Sequence, residues 1–472
     1  MAGEPWEGRV APIASPSPTY RSSADGRLVS LSRPSPGISA AAFLAHAHGR
    51  ERFFWEDVRD QITYAGFGTA VNLLAWGDAR FDHIQELARA LFSGAALLED
   101  PPPPALPRLF GGFAFRDDFT PDNTWSVYHP AHFVLPHYQL VQVGDESWLT
   151  INALIPEDED PAALLPDLRE ALDARYEALQ AESATNGMRE QPAAPTDVNY
   201  PLSYDAWAEM IASAKARIEA GALQKVVLAR VSELRFRQRV DVDGALAFLN
   251  RHYADSYRFL FEPRPYHAFY GATPELLAKV EGETLTSMAL AGSIGRSADA
   301  RRDEALGQQL LRSEKDRHEH EVVVMSMLER LAPLTSQLEI SPQPGVYKLR
   351  NIQHLLTPVR GRLLQPQGIL PVVRILHPTP ALGGKPRRPA LAFIRESEPV
   401  PRGWYAAPIG WIDYRLDGAF AVAIRSAVSQ DRRVWLYAGA GIVAASDPQQ
   451  EWKETALKFR PMLEALGVND DH

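Results

Sequence analysis

Residues 408–439 have the sequence PIGWIDYRLDGAFAVAIRSAVSQDRRVWLYAG, which contains three apolar runs separated by short polar connections. The runs at 408–413, 420–427 and 434–439 are strand candidates, and no helix pattern lies between them. Many strands with few intervening helices favour an α+β fold with antiparallel sheets over a doubly wound fold. Further strand candidates are 225–234, 259–261, 268–270, 276–280 and 346–350, and the clearest helices are 303–331 and 448–466.

The composition is typical of a globular protein, with 472 residues, of which 45% are hydrophobic and 23% charged. The 49 Lys and Arg against 59 Asp and Glu give a net charge of −10, which argues against nucleic acid and anionic membranes as partners. The absence of Cys excludes thiolate metal sites and leaves oxygen and nitrogen ligands for any metal. No apolar run is long enough to span a membrane, and the first residues lack the features of a secretion signal. We therefore expect a cytoplasmic protein.

The chain is rich in proline, with 38 Pro against 31 Gly. Because proline interrupts helices and central strands, clusters of it indicate where regular structure ends. The segment 16–36 is rich in Ser and Pro, and we expect an irregular lead-in there. Residues 101–104 predict an extended spacer before an aromatic strand at 109–115. The polar segment 183–199 follows a helix pattern and predicts a linker.

The C-terminal helix carries an acidic stripe. Asp447 is a capping residue followed by proline at the first helical position, which predicts that the helix begins there. Glu451, Glu454 and Lys458 are spaced i, i+3, i+7, so two carboxylates and one ammonium lie on one side of the helix. This side is either a solvated face with a Glu–Lys pair or a site for a divalent cation beside an anionic substrate. The glycine-rich backbone at 439–443 favours anion binding, but the rest of a dinucleotide-binding fingerprint is missing.

A second acidic segment lies in the helix predicted over 303–331. Within it, Asp316, Glu319 and His320 are close to the side of the helix that carries the apolar residues. Carboxylates with only oxygen partners suit Mg²⁺. Glu319 could equally belong to a salt-bridge lattice with Lys315 and Arg312, so the residues alone leave two interpretations open.

Two ionisable residues stand at strand ends. Lys225 begins the apolar strand at 225–234, and a buried lysine can lose its proton near neutral pH and act as a base. Glu275 lies between a turn and the strand at 276–280, where desolvation would raise its pKa toward that of a general acid. Each residue could instead be an exposed charge at a strand edge. A base and an acid on opposite sides of one substrate would fit a hydroxyl transposition.

Seven segments occur in the order found in the chorismate-utilising enzyme family, and the sequence resembles that family over about residues 200–460. The segments are QKVVLAR at 224–230, GATPELL at 271–277, ALAGS at 289–293, SEKDRHEH at 313–320, HPTPALGG at 377–384, AIRSA at 423–427 and AGAGIVAASDPQQEWKE at 438–454. Within the family, the resemblance is to members that convert chorismate to isochorismate.

The resemblance implies a fold like that of anthranilate synthase component I. This is a single large α+β domain in which two extended antiparallel sheets pack face to face with helices outside. Residues 1–195 would supply the N-terminal part of the sheet core, after the irregular lead-in. Residues 196–472 would form the chorismate-binding catalytic region, with both parts in one structural domain.

The resemblance also implies the roles of individual residues. Glu319 and Glu454 would hold Mg²⁺, with Glu451 binding a metal-bound water, and the metal would bridge to a carboxylate of chorismate. Lys225 would deprotonate the attacking water, and Glu275 would protonate the departing hydroxyl. The substrate-binding positions implied are Ala291, Gly292, His377 over the ring, Arg425, Gly439, Gly441 and Lys458.

Lys225 distinguishes branches of the family, because relatives that use ammonia carry a neutral residue there and recruit a glutaminase subunit. The resemblance therefore implies water as the nucleophile and no glutaminase partner, and Ala291 agrees, because the aminodeoxychorismate branch has a lysine in that motif. Salicylate synthase, which shares Lys225 and Glu275 and then eliminates pyruvate, is the alternative activity. A binding protein without turnover is disfavoured because the ionisable groups that the reaction needs are present.

The sequence leaves the biological role of the product between menaquinone and siderophore biosynthesis. Chain length and the extended N-terminal part favour menaquinone. The absence of an obvious exposed apolar stripe favours a monomer.

Overall fold

The computed structural model describes residues 20–23, 25–183 and 194–468. The chain start, on which the expectation of no secretion signal rests, lies outside these ranges, as does most of the expected linker at 183–199. Within the described ranges, no helix has the length and hydropathy that crossing a membrane requires.

The described residues form ten α-helices and 22 strands. The helices are α1 Ala40–His46, α2 Arg80–Ser93, α3 Leu165–Ser183, α4 Tyr204–Glu219, α5 Val242–His252, α6 Ala300–Arg312, α7 Glu314–Leu331, α8 Leu370–Leu376, α9 Arg387–Ser397 and α10 Pro448–Ala465. The strands are β1 Tyr20–Ser22, β2 Arg27–Pro34, β3 Arg52–Asp57, β4 Ile62–Ala75, β5 Ala96–Leu98, β6 Arg108–Phe113, β7 Ala131–Val143, β8 Glu146–Ile155, β9 Asp197–Asn199, β10 Lys225–Arg235, β11 Tyr257–Arg264, β12 His267–Thr273, β13 Leu276–Glu281, β14 Thr284–Gly295, β15 Thr335–Ile340, β16 Gly345–Lys348, β17 Ile352–Leu363, β18 Gly384–Lys385, β19 Pro408–Asp413, β20 Gly418–Val422, β21 Ser426–Gln430 and β22 Arg433–Ile442.

Strands β4 and β7 pair antiparallel with each other and join two halves of the sheet. From β4, antiparallel pairing continues through β3, β11, β12, β21 and β22 to β10, which begins with Lys225. From β7, it continues through β6, β19, β20, β13 and β14 to β17. The two sheets implied by the resemblance are therefore two layers of one continuous hydrogen-bonded sheet.

Aromatic side chains fill the space between the two layers. The rings of Phe53 and Phe110 stack with centroids 6.4 Å apart, and those of Tyr64 and Trp411 meet edge to face at 5.1 Å. Helices α5 and α10 lie on the half of the sheet that contains β10, while α1 lies on β4 and β7 and α3 on β2 and β8. The apolar residues of these four helices join those of the strands beneath them in a second buried cluster. The prediction of a single α+β domain with antiparallel strands and outer helices is confirmed.

Three expectations about local structure are wrong. The segment 16–36, expected to be irregular, contains β2, because the distant strand β8 pairs along its whole length. In the expected spacer, Pro103–Ala105 form a 3-10 turn. The helix expected at 303–331 is divided into α6 and α7. Ser313 between them is extended, with ψ 114°, and its hydroxyl accepts a hydrogen bond from the N–H of Asp316, which begins a new helix.

Candidate active site

A cavity lies where the end of β22, helix α10 and strand β14 meet. The residues singled out from the sequence that line it are Glu275, Ala291, Gly292, Glu319, Arg425, Gly439, Gly441, Glu454 and Lys458. Lys225 and Glu451 are buried behind this wall, each paired with a charged side chain. The fold therefore brings all seven sequence segments to the cavity, although HPTPALGG at 377–384 contributes Ala381 and Leu382 in place of the expected His377.

Lys225 is fully buried, and its Nζ lies 2.8 Å from Oε1 of Glu319. Side chains alternate along a strand, so Lys225 and Val227 point to the same side of β10, and Val227 lines the cavity. Gly441 on the paired strand makes room for this ion pair. A Cβ at Gly441 would lie 2.9 Å from Cε of Lys225 and would also overlap the Glu319 carboxylate. The alternative that Lys225 is an exposed edge charge is wrong.

Glu275 occupies the turn between β12 and β13, where its carboxyl group is buried. Burial raises the pKa of Glu275 to about 8, although the nearby Lys225 and Lys458 oppose the shift. The turn is held by the N–H of Val422, which donates to the Glu275 carbonyl at 3.0 Å. A carboxyl group that keeps its proton at neutral pH can donate that proton to a leaving group.

Helix α10 presents its acidic stripe to the cavity. Lys458 Nζ lies 2.7 Å from Oε1 of Glu454 and donates to the carbonyl of Gly439 at 2.8 Å. The Ser293 hydroxyl donates to the same Glu454 oxygen at 3.0 Å. Burial alone would raise the pKa of Glu454, but Lys458 and its other partners lower it. Glu451 is only 1% exposed, so the alternative of a solvated face is wrong for this stripe.

Glu319, Glu451 and Glu454 are the three carboxylates that the resemblance assigns to a metal. Each forms an ion pair here, and Glu451 also has an oxygen without a hydrogen-bond partner. Lys315 Nζ lies 2.8 Å from Oε1 of Glu451, and although burial opposes the shift, Glu451, Glu454 and Glu319 raise the pKa of Lys315. The salt-bridge lattice therefore joins Lys315 to Glu451, while Glu319 pairs with Lys225. Oε2 of Glu451 is buried without a hydrogen-bond partner.

Among the described residues, no three His, Asp or Glu side chains are close enough in this arrangement to share a metal ion. The donor chemistry nevertheless fits Mg²⁺, because carboxylate oxygens are the ligands that this ion prefers. The unpartnered oxygen of Glu451 is an acceptor that a bound cation or its water could satisfy.

Arg425 interrupts the strand expected at 420–427. Its φ is 51°, and β20 and β21 end and begin on either side of it. The carbonyl of Arg425 accepts a hydrogen bond from Ala272 at 3.2 Å, and Gly271 leaves room for this carbonyl because a Cβ there would lie 2.5 Å from the oxygen. Arg425 is 5% exposed and lines the cavity, and its guanidinium group has no partner at Nη1. Burial lowers the pKa of Arg425 to about 10, so the group stays cationic at neutral pH and suits a carboxylate.

A β-bulge shapes the wall formed by β14. The register with β17 shifts between Ala291 and Ser293, and Gly292 has a φ of 74°. On the facing strand, Nδ1 of His354 lies 3.2 Å from the Gly292 carbonyl, while Nε2 is buried without a partner. Burial lowers the pKa of His354 to about 3, so the ring is neutral. Sequence analysis missed His354, which lines the cavity, because no motif in the sequence includes it. It reaches the cavity because its strand pairs with the strand that contains the ALAGS segment.

His377 is corrected by the structure, because it does not lie on the cavity where it was expected to cover the substrate ring. Its imidazole packs against Phe81 and Phe115, and its Nε2 lies 3.1 Å from the Phe115 carbonyl. Burial among these apolar side chains holds the pKa of His377 well below its ordinary value. An aromatic pocket and a carbonyl acceptor satisfy a neutral imidazole, which is why the ring turns into the core.

Two further residues on the cavity were also missed. Tyr405 stacks on Tyr437 with ring centroids 5.1 Å apart, and Arg402 lies four residues after its ion-pair partner Glu398, beyond the end of α9. Both residues precede the stretch at 408–439, and their only signals were an aromatic pair and a Glu–Arg spacing of four.

Comparisons with known proteins place the chain in a family. Residues 16–467 match the family described as chorismate binding enzyme. The chain is 34% identical over 452 residues to isochorismate synthase MenF of Bacillus subtilis, with 93% of each chain covered. It is 36% identical over 421 residues to the salicylate biosynthesis isochorismate synthase of Pseudomonas aeruginosa, with 88% of this chain and 84% of the relative covered.

Solved structures agree with these matches. The structure of MenF, the menaquinone-specific isochorismate synthase from Escherichia coli, matches with a TM-score of 0.76 at 26% identity, over 94% of this chain and 95% of that chain. Anthranilate synthase component I from Streptococcus pneumoniae matches with a TM-score of 0.66 at 19% identity, over 97% of this chain and 95% of that chain, which shows a shared fold. Because the family match extends over nearly the whole chain, this protein belongs to the chorismate binding enzyme family.

Proposed function

We propose that this protein is an isochorismate synthase, which converts chorismate reversibly to isochorismate with Mg²⁺ as cofactor and water as nucleophile. The observation that carries the proposal is a fully buried lysine and a buried glutamic acid beside one cavity, Lys225 and Glu275, and burial raises the pKa of the acid. Two relatives that bear the name isochorismate synthase and align over most of the chain support it.

Chorismate carries two carboxylates, so its site must supply positive charge within a protein of net charge −10. Arg425 has an unpartnered Nη1, and Lys458 lies on the same cavity beside the Gly439 carbonyl. We assign these two cations to the substrate's carboxylates. Tyr405 and the neutral His354 add hydrogen-bonding groups to the same walls.

The proposed reaction exchanges one hydroxyl group for another. Lys225 takes a proton from a water molecule, whose oxygen forms a bond to a ring carbon while a ring double bond shifts. The carbon–oxygen bond of the original hydroxyl breaks, and Glu275 supplies the proton with which that group leaves as water. One water enters and one leaves, so the reaction is an isomerisation. Only a neutral amine can accept this proton, so Lys225 must have lost its own proton, and with it the ion pair to Glu319, before this step.

Glu319 and Glu454 would hold the Mg²⁺ ion, and Glu451 would bind a water molecule of that ion. Oε2 of Glu451 has no hydrogen-bond partner and could accept a hydrogen bond from this water. When bound, Mg²⁺ supplies positive charge that neutralises a substrate carboxylate and orients it. Glu451 and Glu454 would exchange their contacts with Lys315 and Lys458 for this new partner.

Replacing Glu454 with glutamine is expected to weaken Mg²⁺ binding by about 100-fold or more, because loss of even an outer-shell partner of a metal site costs about 10- to 100-fold. Titration calorimetry of the free protein with Mg²⁺ alone measures this affinity without reference to activity. Glu464→Gln, on the same helix but away from the cavity, is the matched control and should leave the affinity unchanged. Equal affinities of the Glu454 variant and the wild type would remove Glu454 from the metal site.

Adding one methyl group at Gly441 is expected to lower kcat by up to about 100-fold, because the new Cβ overlaps the side chains of Lys225 and Glu319 and moves the proposed base from its position beside the cavity. Gly345→Ala is the control, since a Cβ there meets no atom within 4 Å. Both variants should unfold at temperatures close to that of the wild type. Full activity of Gly441→Ala would show that the space left by Gly441 for the Lys225 side chain does not matter for catalysis.

Product analysis distinguishes the proposed activity from its alternative. Incubation with chorismate and Mg²⁺ should yield isochorismate, and added isochorismate should return chorismate. Accumulation of salicylate with pyruvate would identify a salicylate synthase instead. The absence of any product under conditions in which chorismate binds would favour a binding protein.

We further propose that the product supplies menaquinone biosynthesis, and that the enzyme acts in the cytoplasm as a monomer without a glutaminase. The support is an alignment with a MenF protein over 93% of both chains, and a buried lysine where a water nucleophile requires a base. Loss of menaquinone in a deletion strain, restored by this gene, tests the pathway. Loss of a siderophore with menaquinone intact would reassign it.

A further inference from the structure

Strand β10 carries Lys225 and has one incompletely paired edge. One edge pairs with β22 from Val226 to Arg235. The other edge pairs with β18 only at Lys225 and Val226, and with β9 only from Glu233 to Arg235. Between these short pairings, the described residues include no strand that could accept from or donate to the backbone of β10.

Two side chains replace the missing strand at this edge. Arg402 Nη2 donates to the carbonyl of Val227 at 2.8 Å, and the N–H of Ala229 donates to Oε1 of Glu398 at 2.8 Å. Arg402 and Glu398 also bind each other through two hydrogen bonds, of 2.9 and 2.5 Å. Both side chains are buried, so they satisfy backbone groups that would otherwise be unpaired.

The same guanidinium also contacts two residues outside β10. Arg402 Nη1 donates to the carbonyl of Leu382 at 2.9 Å, and the guanidinium lies 4.3 Å from the centre of the Phe115 ring. Leu382 lines the cavity, as does Arg402 itself. One rigid planar group therefore fixes the strand of the proposed base relative to Leu382 on the cavity wall.

We infer that Arg402, together with Glu398, is a positioning residue for Lys225. The pair takes the place of a neighbouring strand and sets where β10 presents its first side chain. Val227, whose carbonyl Arg402 binds, points its side chain to the same side of the strand as Lys225. The inference rests on the proposed function, because it assigns Arg402 an effect on proton transfer through Lys225.

Arg402→Lys keeps the charge but cannot reach Glu398, Val227 and Leu382 together. We expect kcat for isochorismate formation to fall by about 10- to 100-fold, with KM changed by less than about threefold. Arg52→Lys is the matched control, because Arg52 is equally buried, pairs with Glu262 at 2.7 Å and donates to the Leu44 carbonyl. The control should retain kcat.

A double-mutant cycle separates positioning from general stability. In a Lys225→Met background, Arg402→Lys should change the residual rate by less than about twofold, because the group that it positions is already gone. The inference would be overturned if kcat fell by the same factor in both backgrounds, or by no more than it falls in Arg52→Lys.

If Arg402→Lys does not fold, Glu398→Gln replaces it, since the amide oxygen of the glutamine still accepts from Ala229 while the charge pair with Arg402 is lost. A wild-type protein that makes no isochorismate would instead refute the proposed function.

Discussion

Replacing Lys225 with methionine is expected to lower kcat for isochorismate formation by about 1,000-fold, within the range that a general base contributes. Methionine is close to lysine in length and suits the fully buried position, but it cannot take a proton from water. The partner Glu319 lines the cavity, so its carboxylate can be solvated when the ammonium is gone. The kcat of purified variant and wild type with saturating chorismate and Mg²⁺ measures the effect.

Lys279→Met is the matched control for this experiment. Lys279 also extends from a strand of the same sheet and pairs with two carboxylates, Asp60 and Glu281, but it lies away from the cavity. Its loss should leave kcat within about twofold of the wild type, as expected for a partly exposed ion pair. A Lys225→Met enzyme that is folded and retains a tenth or more of the activity would show that another group is the base.

Replacing Glu275 with glutamine should also lower kcat by about 1,000-fold, because glutamine has the same shape but no acidic proton. The pH dependence follows from the direction of the pKa shift. Burial raises the pKa of Glu275 to about 8, so the group is protonated below that pH and loses its proton above it. As an acid it works only when protonated, so the wild-type rate should fall as the pH rises through about 8.

The stability of the wild type should fall with rising pH, as its activity does. A carboxyl group whose pKa is higher in the folded than in the unfolded state stabilises the fold at low pH, and this contribution is lost as the pH rises through about 8. Glutamine cannot ionise, so Glu275→Gln should unfold at the same or a higher temperature than the wild type at alkaline pH. A Glu275→Gln enzyme with normal kcat, or a wild-type rate that rises through about pH 8, would exclude Glu275 as the acid.

Local structure is predicted best from the sequence where hydrophobic periodicity and capping residues indicate the same element. The α+β class could be predicted from the strand patterns at 408–413 and 434–439 and the capped helix at 448–466. The same helix pattern predicted the stripe of Glu451, Glu454 and Lys458. In these elements the local preference and the tertiary packing favour the same conformation. The structure places all three side chains together, with Glu454 and Lys458 on the cavity wall.

The features missed were set by contacts far along the chain. β2 is a strand because β8 pairs with it, and the break at Arg425 is accommodated by Gly271 on a neighbouring strand. The cavity wall shows the same effect, because His377 was expected there and His354 is found there instead. A motif indicates which residues are near a site but not which way each ring turns. Long-range pairing determines such orientations, and spacing in one sequence does not contain it.

The origin of the new hydroxyl oxygen tests the account most directly. Chorismate is incubated with the enzyme and Mg²⁺ in water enriched in oxygen-18, and the isochorismate formed is examined by mass spectrometry. If Lys225 activates water while Glu275 releases the original hydroxyl, the new hydroxyl carries the heavy isotope, and the signal disappears with Lys225→Met. Isochorismate formed without incorporation of solvent oxygen would contradict the account, because the hydroxyl would then have moved within the substrate and neither residue could have the role assigned to it.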